Sequence, residues 1–230
     1  APATPTSSGR SESSGARDVS LRAREMIARV EKLWTDANIS RSTRDSLVDT
    51  ATAIMSSRAS DFGDEHHPAF LHPLRTAILL MEADETDPRA HAVALVLDTE
   101  GRQPDADDIR EAILRTGRAW GLDLDGEEVE VGALTTADPG ERLELLVLAH
   151  SWLRNAWLAE RLDQIRHLHL WAGPDRTRAA LERAEREEHP LAGRVGGRLH
   201  RAWSDWLDKA RRYRLAERAE KRAVSAPDGS

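Results

Sequence analysis

Three residues stand out by type and setting for metal chemistry: His72 in Phe70-Leu71-His72-Pro73-Leu74, Asp98 closing Ala94-Leu95-Val96-Leu97-Asp98, and Glu160 in Leu158-Ala159-Glu160-Arg161-Leu162-Asp163. One imidazole and two carboxylates are donors for a hard divalent cation. A bound cation acidifies its water until that water attacks a phosphoryl group. In this order the three segments read as a metal phosphohydrolase site with parts missing. His66 and His67, in an acidic loop with Asp61, Asp64 and Glu65, are the nearest substitute ligands. A plainer reading stands beside this one. The Glu65 to Pro68 loop is then solvated, His72 bonds a backbone carbonyl, Asp98 bonds a helix end, and Glu160 pairs with Arg161 or Arg154 on a surface.

Other chemistries find less support. The sequence has no Cys, which excludes disulfides, thiolate metal sites and Cys nucleophiles. Gly193 to Gly197 lacks the Lys-Ser/Thr ending and the preceding strand of a phosphate-binding loop. His91, His150, His167, His169, His189 and His200 are scattered, and the two-residue spacing of His167 and His169 puts their rings on different helix faces. A net charge of −7 argues against general nucleic-acid or anionic-membrane binding. No apolar run approaches the ~20 residues of a membrane span, and the first residues lack a signal-peptide core, so a cytoplasmic address is expected. Arg far outnumbers Lys (Lys32, Lys209 and Lys221), a bias common in GC-rich bacterial genomes.

The periodicity that must position these residues is helical. Residues 1–16 are rich in Ser, Pro, Gly and Thr and read as a disordered tail. Residues 17–223 read as a single helical domain, and residues 224–230 as a frayed end. Leu21, Met26, Ile27, Val30 and Leu33 line one helix; Leu47, Val48, Ala51, Ile54 and Met55 line the next, capped by Asn38 or Ser40. An apolar helix is expected from Phe70 to Met81, and another from Asp87-Pro88. A further helix runs from Pro104 to Trp120, and Gly121 to Asp138 is a loop or one short strand. One long helical period spans Pro139 to about Trp171 and stops at Gly173-Pro174. Helices from Asp175 to Glu188 and from Gly197 to about Ala223 complete an all-α domain.

The order of these elements resembles the HD superfamily, in its RelA/SpoT and small alarmone hydrolase branch, over roughly Leu47 to Ala192. The resemblance implies an HD-domain-like helical bundle and one divalent ion, usually manganese. It places His72, Asp98 and Glu160 at ligand positions, Gln164 where the family has Asn, and Arg166 where it has Arg. Glu188-His189-Pro190-Leu191-Ala192 is similar to the family's closing Pro-Leu-Ala helix. The departures fall on the chemistry. Leu97 occupies the position of the paired histidine, and an aliphatic side chain has no lone pair to donate. Gly101-Arg102 replaces the water-orienting acids, and Asp61 to Glu65 replaces a basic phosphate-gripping segment, where like charges repel a pyrophosphate.

Seven Trp residues stand beside two Phe and one Tyr. Trp152, Trp157, Trp203 and Trp206 are interface candidates, because indoles concentrate at the centres of protein contacts; each is otherwise a core residue. Two function readings follow. In the first, a decayed, cofactor-free HD-like domain acts as a non-enzymatic subunit, or as a homo-oligomer, that binds and stabilises a partner such as a biosynthetic enzyme. In the alternative, Mn²⁺ or another divalent metal on His72, Asp98, Glu160 and a recruited His66 or His67 hydrolyses a nucleotide or alarmone pyrophosphate. A metal-free nucleotide sensor in the old pocket is a third possibility.

Overall fold

The computed structural model describes residues 12–57, 71–97, 134 and 138–213. Every regular element among them is helical. In chain order these are α1 (Glu12–Asp36), α2 (Arg41–Ser57), α3 (His72–Glu82), α4 (Pro88–Val96), α5 (Pro139–Leu148), α6 (Ser151–Trp171), α7 (Pro174–Arg183), a π-helical turn (Ala184–Glu188), α8 (His189–Val195) and α9 (Gly197–Arg212). The expected helix from Pro104 to Trp120 lies outside the described residues, as does the Gly121 to Asp138 segment apart from Leu134 and Asp138.

Local sequence explains most helix ends. Asp87 accepts the Arg89 N–H at 2.9 Å, with Pro88 in the first turn, where its missing N–H costs nothing. Asn38 leaves α1 at φ 59°, a left-handed conformation that Asn tolerates, and the Ile39 N–H returns to the Trp34 carbonyl at 3.0 Å. Ser40 then caps α2, accepting the Thr43 N–H at 3.3 Å. Gly196 and Gly197 take φ 73° and 64° in succession between α8 and α9, a path strained for any residue with a Cβ.

Four boundaries differ from the sequence pattern. α1 begins at Glu12, inside the stretch expected to be a tail, because a nucleated helix gains one backbone bond per added residue without needing an apolar face. The long period from Pro139 is interrupted: Ala149 and His150 are extended, at ψ 164° and 151°. Arg154 Nη1 donates to the Val147 carbonyl at 2.8 Å and satisfies an acceptor that the interruption frees. The expected helix from Asp175 to Glu188 instead runs as α7 only to Arg183 and then widens into the π turn, where the His189 N–H reaches back to the Ala184 carbonyl. α9 ends at Arg212, and the described chain at Tyr213.

α6 is the axis of the bundle. It packs against α3, α4, α5, α7, α8 and α9, and Leu153, Ala156, Leu158, Ala159 and Leu162 are fully buried. Each such leucine contributes about 1.5–3 kcal/mol relative to exposure. A second cluster joins Val30, Trp34, Leu47, Leu74 and Leu95, and α3 and α4 belong to both. Because neighbours surround α6, its polar residues Glu160, Arg161, Asp163 and Gln164 are carried inside with its leucines. Trp152, Trp157, Trp203 and Trp206 are also inside, none more than 8% exposed. Burial thus removes the exposed indoles on which their role as interface candidates rested. Trp203 Nε1 donates to the Leu158 carbonyl at 3.2 Å, and the Arg89 guanidinium lies 4.9 Å from the Trp152 ring centre.

Candidate functional site

Two helices, α3 and α6, bring charge into the interior beside one another. His72 opens α3 with Pro73 directly after it, so the imidazole is fixed at the first helical turn, fully buried. Its Nδ1 lies 2.7 Å from Oδ2 of Asp163 on α6. Arg75, one turn further along α3, aims Nε at both oxygens of the same carboxylate, at 3.0 and 2.9 Å. On the other side of the ring, Nε2 faces Glu160 Oε1 at 3.5 Å, too long for a good hydrogen bond. His167, one turn after Asp163, donates Nδ1–H to the Asp163 carbonyl at 2.8 Å.

Electrostatics follow from this geometry. Burial alone pushes the His72 pKa down, but the bond to Asp163 and the nearby Glu160 more than reverse it, raising it to about 9. Burial alone would raise Asp163, yet the His72 bond and the Arg75, His72 and His167 charges hold it at about 2. At neutral pH His72 is therefore cationic and Asp163 anionic, a buried ion pair with Arg75 and Glu160 beside it.

The divalent ion implied by the HD resemblance was tested against these residues. Among those described, the converging donors are His72 Nε2 and Glu160, and no group of three or more His, Cys, Asp or Glu is placed to hold a metal ion. Leu97 is 2% exposed and packed in the apolar core. The described donors, two beside a buried leucine, fall short of the four protein ligands that the resemblance implies. Asp98, His66 and His67 lie outside the described residues.

The plainer reading also changes. His72 bonds the Asp163 carboxylate rather than a backbone carbonyl. Glu160 is fully buried, not half of a surface pair. Arg161 turns away to Glu188 Oε1, at 3.1 Å, and to Gln164. Asp163 and Arg75 are the residues that sequence reasoning passed over. Each stands three positions from a chosen residue, Glu160 and His72, and so shares its helix face.

A second polar region lies on the adjoining face of α6. There Arg161, Gln164 and Leu168, spaced by three and four, border a cavity of about 660 Å³.

No protein-family model, curated protein or solved structure matches this chain.

Proposed function

We propose that this chain is a catalytically decayed HD-like domain acting as a non-enzymatic accessory subunit, one that binds and stabilises a partner protein such as a biosynthetic enzyme. The observation that carries the reading is Leu97, buried at the place where the resemblance puts a metal-binding histidine. It is supported by the internal use of His72: Asp163 bonds the ring, Arg75 shares that carboxylate, and Glu160 lies buried 3.5 Å from Nε2. A domain that keeps its core and interior polar contacts, with too few metal donors among its described residues for turnover, works by binding.

One observation favours the alternative metal phosphohydrolase. His72 Nε2 is a buried nitrogen with no hydrogen-bond partner, and a carboxylate on the far nitrogen is how metal-bound histidines are oriented. Metal content and turnover separate the two readings. After dialysis against Mn²⁺ and then metal-free buffer, the protein is expected to retain well below one metal per chain. It should also leave nucleoside and alarmone pyrophosphates intact. Stoichiometric metal with steady hydrolysis would overturn the proposal. For the partner, co-expression with the product of an adjacent gene should raise that protein's soluble yield, and an unchanged yield counts against an accessory role.

A further inference from the structure

The cavity beside α6 is lined from α5, α6, α7 and the π turn. Its volume of about 660 Å³ is that of a small-molecule site. Arg142, Arg161, Arg176, Arg183 and Arg186 line it, against the carboxylates of Glu187 and Glu188. The described wall therefore carries a surplus of positive charge in a chain whose net charge is −7. The acids are already engaged. Glu188, 2% exposed at its side chain, meets Arg161 Nε at 3.1 Å and Arg183 Nε at 3.3 Å, while Glu187 meets Arg186 at 2.7 Å. Arg142 is half-buried, and burial and the charge of Arg161 push its pKa below the usual arginine range, against the opposing charge of Glu160. Cations crowded on a concave surface are what an anion would relieve.

Two further features belong to the same wall. Arg186, Glu187 and Glu188 are placed by the π-helical turn, a rare geometry that recurs at functional sites. Apart from Gln164, the rest of the described lining is apolar, with Trp157, Leu97, Ile165 and Leu168. Guanidinium groups offer paired N–H donors to planar carboxylates and to phosphates. An indole and aliphatic side chains offer a surface for a hydrophobic body.

We propose that this cavity binds a small organic anion, its phosphate or carboxylate head against the arginines and its apolar body against Trp157. The inference rests on the non-enzymatic reading only in taking the ligand to be held unchanged.

Titration calorimetry on the full chain tests this with four probes: 1-naphthyl phosphate, phthalate, inorganic phosphate and uncharged 1-naphthol. At least one of the first two is expected to bind at one site per chain, more tightly than inorganic phosphate or naphthol, and more weakly as salt rises. Tighter naphthyl phosphate identifies a phosphate ester as the ligand type; tighter phthalate, a polycarboxylate. Arg176→Gln, at an exposed position, and Arg142→Gln should each weaken binding about tenfold. Arg201→Gln, on α9 and outside the lining, should not. Thermal melts confirm that the variants fold, and Arg176→Gln keeps the test alive if Arg142→Gln does not. No binding by either organic anion, or equal binding by Arg176→Gln, would overturn the site. Release of naphthol from bound naphthyl phosphate supports the cavity but sinks the non-enzymatic reading, whereas metal-dependent turnover without anion binding here does the reverse.

Discussion

His72 Nδ1 and Asp163 Oδ2 meet at 2.7 Å across 91 residues of sequence, joining the first turn of α3 to the middle of α6. Both side chains are almost wholly removed from water, and Arg75 shares the carboxylate. Removing one partner from a buried ion pair leaves the other charge without compensation, which costs about 3–5 kcal/mol. Asp163→Asn keeps the shape and deletes the charge. Urea unfolding is expected to show a loss of that size, and NMR to show the His72 pKa falling well below 9, because burial then acts with less opposition. An unchanged stability would mean that α3 and α6 are held by their apolar contacts alone.

How much of this was legible in the chain depends on the range of the contact. Asp87-Pro88 and Ser40 act locally, and both cap the helices that the sequence places after them. The Trp34 to His91 bond crosses 57 residues, and no helical period contains it. Glu160 and Asp163 look like surface acids on a charged helix; only α6's place at the centre of the bundle buries them. The cavity arginines were hidden similarly. Arg142, Arg161 and Arg183 come from three helices, and nothing in their spacing says that they converge.

Trp203 tests the reassignment of the indoles from interface to core. It is fully buried, its N–H is satisfied by Leu158, and its ring packs edge-on against Trp206. Trp203→Ala should cost about 3–5 kcal/mol by chemical denaturation while leaving the sedimentation behaviour of the folded fraction unchanged. A small stability loss accompanied by a change in oligomeric state would return the residue to an interface.

His91 predicts a pH dependence. Trp34 donates its indole N–H to Nδ1 at 3.2 Å, and Nε2–H is given to the Glu85 carbonyl at 2.9 Å, so the folded ring is neutral. Burial lowers its pKa from 6.5 to about 4, although the Glu85 carbonyl and Asp87 oppose the shift. The folded state thus binds fewer protons than the unfolded chain between these values. Its contribution is complete above pH 6.5 and is lost as the pH falls through about 4, on the order of 3 kcal/mol. His91→Gln, which can accept from Trp34 and donate to Glu85 without titrating, should lose less stability than the native chain between pH 7 and pH 4. Parallel losses in the two proteins would remove His91 as the cause.

The interruption between α5 and α6 makes the opposite demand on proline to that of a continuous helix. Ser151 is the first residue of α6, where an N–H has no intrahelical partner and φ suits the pyrrolidine ring. His150 before it is extended at ψ 151°, the conformation that a following proline favours. Ser151→Pro should therefore be neutral or stabilising by about 0.4–1 kcal/mol, through a less flexible unfolded chain. Were residues 139–171 one unbroken helix, as their apolar period suggests, the same change would cost ~3 kcal/mol or more by deleting a backbone bond and clashing with the preceding turn. The sign of that single measurement decides between the two backbones. It bears on the interior as well, because the break sets the direction in which α6 carries Glu160 and Asp163 toward His72.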